Sequence, residues 1–234
     1  MSKIIKSYIK KILKKLGWKL TKIYKNKSYT NATPDKSQVH AILKSKGIIH
    51  MGAHRGTEAA VYNWFNKKVI WIESNPHIFE DLKMNIEQFF HQEAFNILLY
   101  DKDNIQLNFN ISNNDSASSS IYEFGEHGNS QDIKMIKQIK LNTKKLDTFF
   151  EENKIKNKDY DFWVMDLQGS ELRALMGAKN SLKNCNYILI EVSKVEYYKG
   201  GAKWEEICDF LLKNGFKNIN HLSEDHQDIL FTRD

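Results

Sequence analysis

Apolar positions along the chain follow two periods. In residues 1–34, Ile5, Ile9, Ile12, Leu16, Leu20 and Ile23 recur at steps of three or four, which places them on one helical stripe surrounded by lysines. Beyond Pro34, short continuous apolar runs alternate with helical patterns, as in an α/β domain built on a mostly parallel sheet. The runs predict strands over residues 47–51, 69–72, 95–99, 106–111, 139–143, 161–165 and 187–190. Helices are predicted from Thr57, from Pro76 (with Phe79, Leu82, Ile86 and Phe89 on one face), over 146–153, and after Gly169. A last helix, over 203–214, is stopped by Gly215. Residues 216–222 and 228–232 are close enough to form an antiparallel pair at the sheet edge. Residues 112–133 are polar and rich in turn formers, and long enough to suggest a lid or substrate loop.

Charge divides the chain at the same place. Ten lysines and no acidic residue precede Asp35, so the +6 net charge separates into a polybasic head and a body with 25 basic against 29 acidic residues. The expected organisation is a basic amphipathic helix and linker over 1–34 and a catalytic domain over 35–234. The head has no apolar run of the roughly 20 residues needed to span a bilayer. Its Lys-flanked Ile/Leu stripe suits an anionic membrane surface, and a first helix packed on the domain is the alternative. Nucleic acid is not expected as a partner, because no aromatic stacking platform interleaves the lysines. Two cysteines without metal-ligand spacing, Cys185 and Cys208, exclude a disulfide framework and fit a cytoplasmic protein, peripheral at most at the inner membrane face.

Candidate chemistry gathers at strand ends. Glu73, Asp166 and Glu191 each close an apolar run, and Gly52-Ala53-His54-Arg55-Gly56 closes another. In an open α/β sheet such ends face one crevice, where ligands bind. Glu73 follows Gly56 by 17 residues, near the spacing at which a strand-2 acid holds both hydroxyls of a ribose. His54 replaces the middle glycine that a dinucleotide pyrophosphate requires, so a nucleoside cofactor without phosphates, S-adenosylmethionine, fits better than a nicotinamide dinucleotide.

Five ordered segments resemble the FkbM-type methyltransferases. They are Ile49-His50-Met51-Gly52-Ala53-His54-Arg55-Gly56, Trp71-Ile72-Glu73-Ser74-Asn75-Pro76, Leu146-Asp147-Thr148-Phe149, Asp166-Leu167-Gln168-Gly169-Ser170-Glu171-Leu172 with Gly177-Ala178, and Ile190-Glu191-Val192. The resemblance covers the chain from about Gly47 onward. It implies a class I, Rossmann-like methyltransferase fold: a mostly parallel seven-stranded sheet with an antiparallel C-terminal strand pair. It also implies S-adenosylmethionine as cofactor and hydroxyl oxygens of sugars and natural products among the acceptors. This chain departs from the family in carrying His50 where many relatives have Asp, which removes a carboxylate that can hold the methionine amino group, and Ser74 where Pro is common.

The cofactor candidates are therefore His50, Gly52, Ala53, His54, Gly56, Glu73, Ser74 and Asp101. An alcohol needs a general base to become a nucleophile, and Asp166 is the first candidate, followed by His127 in the polar loop. A capped helix start is the alternative role for the Asp166 to Glu171 stretch, and a solvated loop histidine that for His127. Ser119, Ser120, Glu191 and Tyr198 are candidates for contact with a small-molecule or glycan acceptor, with Tyr197 and Trp204 nearby. No metal site is assigned. The competing functions are a nicotinamide-dependent oxidoreductase and a membrane-surface module on a degenerate Rossmann scaffold.

Overall fold

Continuous apolar strands require cover on both faces, and the computed structural model supplies it. It describes residues 36–126, 132–219 and 222–233. The head over 1–34 and His127 lie outside those residues. Strands β1 (Gly47–Met51), β2 (Lys68–Glu73), β3 (Gln92–Asn96), β7 (Phe162–Met165) and β8 (Tyr187–Ser193) run parallel in one sheet, which β10 (His226–Thr232) and β9 (Lys217–Asn218) extend in antiparallel fashion. The strand order is β3-β2-β1-β7-β8-β10-β9.

Successive side chains of a strand point to opposite faces. Ile48, Val69, Trp71, Phe162 and Val164 accordingly meet α1 (Lys36–Lys44), α2 (Ala59–Trp64) and α3 (Pro76–Ile86) through Ala41, Ile42, Tyr62, Leu82 and Ile86. Ile49, Met51, Ile70, Ile72, Trp163 and Met165 pack on the other face against α4 (Leu146–Glu152), α5 (Glu171–Met176) and α6 (Trp204–Lys213) through Phe149, Leu175 and Leu211. Trp71 and Trp163 are fully buried with their indole N–H groups satisfied, by Gln92 Oε1 at 2.9 Å and the Tyr160 carbonyl at 3.1 Å. Truncating either costs about 3–5 kcal/mol.

Two expectations change. Residues 95–99 do not form one strand: the Asn96 side-chain amide donates to the Glu73 and Ser74 carbonyls at 2.7 and 3.0 Å and Ser74 Oγ donates to the Ile97 carbonyl at 3.0 Å, so the pairing with β2 ends at Ile97. Leu98–Leu99 (β4) then leaves the main sheet and pairs in parallel with β6 (Met135–Lys144), which is antiparallel to β5 (Gln106–Ser112). This three-stranded sheet hangs the polar loop over the carboxyl ends of β1 and β2. The second change is α1, which the apolar pattern did not predict.

Candidate active site

Strand β1 has β2 on one side and β7 on the other, so the order reverses there and a crevice opens at the carboxyl ends of these strands. A cavity of about 270 Å³ occupies it. Gly52 makes the turn possible: its φ is +80°, and a Cβ there would sit 1.7 Å from the Asp166 carbonyl oxygen. The turn is then tied to β2 by Glu73, whose Oε2 accepts from the His54 amide at 2.8 Å and whose Oε1 accepts from the Asn75 amide at 2.7 Å. Burial pushes the Glu73 carboxyl up to about 7, and the two amides oppose the rise.

Of the cofactor candidates, His50, Gly52, Ala53, His54, Glu73 and Ser74 line this cavity. The structure does not bring Gly56 or Asp101 to it. Gly56 lies against Leu82, at a φ of +67°, and Asp101 Oδ2 is taken by Arg173 at 2.8 Å. His50 is buried and stacked on Trp71, with Nδ1 at 3.2 Å from the Tyr62 hydroxyl, and burial pushes its pKa down. A neutral imidazole cannot replace a carboxylate opposite an ammonium group. Thr57 and Glu58 at the cavity wall were missed as site residues, since Glu58 reads in sequence only as a helix-start charge.

The polar loop forms the other wall. Ser116, Ala117, Ser119 and Ile121 face the cavity, and the loop is anchored to the glycine turn: Arg55 grips Asp115 through both guanidinium nitrogens while its Nε bonds Asp81 at 2.9 Å. His54 Nε2 meets the Asp115 carbonyl at 2.9 Å. Ser119 Oγ also accepts from the Ser112 amide at 3.1 Å. Ser120 turns away from the cavity and donates to the Gln168 carbonyl at 2.7 Å.

Asp166 lines the same cavity, in the direct continuation of β7. Its proton affinity is raised well above the usual carboxylate range, by burial first and then by Glu191. Carboxylate oxygens of Asp166, Glu171 and Glu191 lie within 4.8 Å of one another. Capping falls to Glu171, whose Oε1 accepts from the Leu167 and Gly169 amides at 2.7 and 3.3 Å. Burial raises Glu171 to about 7 and Glu191 to about 8. Glu191 and Tyr198 do not line the main cavity. Together with Tyr197 and His226 they line a smaller pocket of about 20 Å³, and Gln168 contacts both sides. His226, which no sequence pattern singled out, bonds Glu191 Oε1 at 2.9 Å and stacks on Tyr197 at 4.1 Å. Trp204 packs on Phe231 at the rim of the core.

The residues present suit S-adenosylmethionine. Each Glu73 oxygen spends one lone pair on an amide and keeps capacity for a ribose hydroxyl, while Leu98, Leu99 and Phe109 give an apolar wall for a flat base.

Strand order, the glycine turn at the switch point and the acid ending β2 define a class I, Rossmann-like methyltransferase fold. The chain belongs to the family described as the methyltransferase FkbM domain, which matches residues 50–217. S-adenosylmethionine, the cofactor expected from the sequence, is the methyl donor. Among curated proteins the chain is similar to the 2-O-methyltransferase NoeI of Sinorhizobium fredii (strain NBRC 101917 / NGR234), with 25% identity over 173 residues, 70% of each chain. Among solved structures it is similar to magnesium protoporphyrin IX methyltransferase from Synechocystis PCC 6803, with 8% identity, a TM-score of 0.45, and coverage of 84% of this chain and 74% of that one. It is also similar to Aeropyrum pernix fibrillarin, with 15% identity, a TM-score of 0.45, and coverage of 81% and 68%.

Proposed function

We propose that the protein methylates a hydroxyl oxygen on a sugar or glycan, lipid-linked forms included. The observation that carries this reading is Asp166, a carboxyl group on the wall of the cavity that the glycine turn and Glu73 also line. The 2-O-methyltransferase relative supports an oxygen acceptor. The excess of acidic over basic residues after Pro34 suits a neutral polyol better than a polyanion.

The bound cofactor supplies an electrophilic methyl group on a sulfonium. Glu73 would hold its ribose hydroxyls, and Leu98 and Phe109 would supply the apolar wall for its base. Asp166 accepts the hydroxyl proton of the acceptor, and its raised proton affinity suits that task near neutral pH. The loop carrying Ser116 and Ser119 excludes water from the cavity. Glu191 and Tyr198, outside this cavity, act through their hydrogen bonds with Gln168 and not by contact with the acceptor, and His127 stands second as a base.

The test offers labelled S-adenosylmethionine to a panel of sugars, nucleotide sugars and lipid-linked glycans, with mass spectrometry of whatever takes up label. Label in a hydroxyl-bearing glycan is expected; transfer confined to nitrogen, carbon or carboxyl acceptors would sink the proposal. For the head, the proposed partner is an anionic membrane surface, at about 1 kcal/mol per lysine near the lipid. Removing residues 1–34 is expected to abolish co-sedimentation with anionic liposomes, and undiminished binding would overturn that assignment.

A further inference from the structure

Gln168 sits beside the cluster of Asp166, Glu171 and Glu191, and its backbone is held in an unfavourable conformation. Its φ is +52°, in the left-handed region that favours glycine, and the next residue, Gly169, has φ +97°. The conformation is enforced from both sides. Ser120 Oγ donates to the Gln168 carbonyl at 2.7 Å, and a Cβ at Gly169 would come within 3.0 Å of Tyr198 Cβ. The turn delivers the side-chain amide between two acids: Nε2 donates to Asp166 Oδ1 and, at 3.1 Å, to Glu191 Oε2. Tyr198 donates its hydroxyl to Gln168 Oε1. A phenol donor at one end and two carboxyl acceptors at the other fix the orientation of the amide, since the reverse would set its oxygen against both acids.

We propose that Gln168 is a positioning residue: it shares its two amide hydrogens between Asp166 and Glu191, and so favours the carboxylate form of Asp166 at the cavity wall against the acids around it. The proposal rests on Asp166 as the acceptor of the hydroxyl proton. Around Asp166 stand Glu73 from β2, Glu171 from α5, Glu191 from β8, His226 and Asp228 from β10, and Tyr198. The acids all favour retention of a proton on Asp166. His226 opposes them little, because burial favours its neutral form. Gln168 supplies the hydrogen bond to Asp166 that works the other way. Without it the base would keep its proton to a higher pH and take the hydroxyl proton less readily. Gln168, itself on the cavity wall, thus lowers the pH at which the base becomes available by acting through Asp166.

The test is a carboxyl titration that needs no acceptor. Full-length protein labelled with ¹³C at Asp and Glu carboxyl carbons is saturated with S-adenosylhomocysteine. The Asp166 resonance, assigned by its loss in Asp166→Asn, is then followed against pH. Gln168→Met, similar in length and without a donor, is expected to raise the Asp166 midpoint by at least about one pH unit, a tenfold change in proton affinity. An unmoved midpoint in a variant that still binds S-adenosylhomocysteine would overturn the proposal. If Gln168→Met does not fold, Tyr198→Phe is read instead. Loss of the phenol that orients and polarises the amide is expected to move the midpoint upward by a smaller amount, and no movement overturns the proposal equally. A wrong acceptor assignment appears separately, as failure to label glycans.

Discussion

Gly52 and Asp166 meet backbone to backbone: the Asp166 amide donates to the Met51 carbonyl at 3.0 Å, and no room remains for a side chain on Gly52. The cofactor turn and the candidate base are therefore one rigid unit across the β1–β7 seam. Gly52→Ala places a methyl group 1.7 Å from a carbonyl oxygen and also strains a φ of +80°. It is expected to destabilise the domain by about 3 kcal/mol or more, since neither backbone can yield without breaking sheet pairs. Urea unfolding measures this, and a cost below about 1 kcal/mol would show that the contact is soft.

Glu73→Gln keeps the size of the side chain and one acceptor for the His54 and Asn75 amides but removes the charge. If Glu73 binds the ribose, affinity for S-adenosylhomocysteine should fall by about 10- to 100-fold, the worth of a hydrogen bond to a charged acceptor. Titration calorimetry reads the change. Unaltered affinity would mean that Glu73 serves only to close the turn.

The central strands β1, β2, β7 and β8 were legible because they are covered on both faces and so read as nearly unbroken apolar runs; β1 begins and ends at the residues expected. What escaped depends on partners distant in sequence. Within residues 94–99 only Asn96 is a turn former, and the break after it is fixed by partners at the end of β2: its side-chain amide donates to the Glu73 and Ser74 carbonyls, and Ser74 Oγ donates to the Ile97 carbonyl. Helix α1 buries only Ala41 and Ile42 in nine residues, too little for a helical period to register. Within the site, Glu73 and Asp166 were marked by strand ends. Gln168 lay inside a recognised motif without a role, and His226 reaches Glu191 only through the antiparallel pairing of β10 with β8. No local pattern encodes either contact.

The Arg55 to Asp115 ion pair joins the glycine turn to the loop over the cavity, yet Asp115 is largely exposed. Exposed pairs contribute about 0.2–1 kcal/mol. Asp115→Ala should therefore leave global stability nearly unchanged while raising the dissociation rate of S-adenosylhomocysteine about two- to fivefold, and it should weaken the dependence of that rate on salt. Stopped-flow dissociation at two ionic strengths is the measurement. An unchanged rate would show that the loop does not control release.

Stability of the ligand-free domain should fall as pH rises from about 6.5 to 8. Glu73 and Glu171 are raised to about 7 and Glu191 to about 8 from an ordinary 4.5, in each case chiefly by burial. Above pH 4.5 the folded state thus holds protons that the unfolded chain has released, and it loses that advantage as each carboxyl ionises in place. Two histidines act in the opposite sense. His50 and His226 are pushed below 6.5 by burial, so the unfolded chain gains protons on them only as pH drops through that value. Below about 6.5 the two effects offset each other. Above it the histidines are neutral in both states and the acids act alone. The depressed carboxyls of Asp103, Asp115 and Asp159 change only below their ordinary 3.8 and lie outside this window. With one to two protons involved, the loss is on the order of 1–3 kcal/mol between pH 6.5 and 8. Urea unfolding across that range is the measurement, and Glu191→Gln should shrink the slope by removing a buried acid that titrates within it. Stability that rises with pH over the same interval would show that these carboxyls are already ionised in the folded domain.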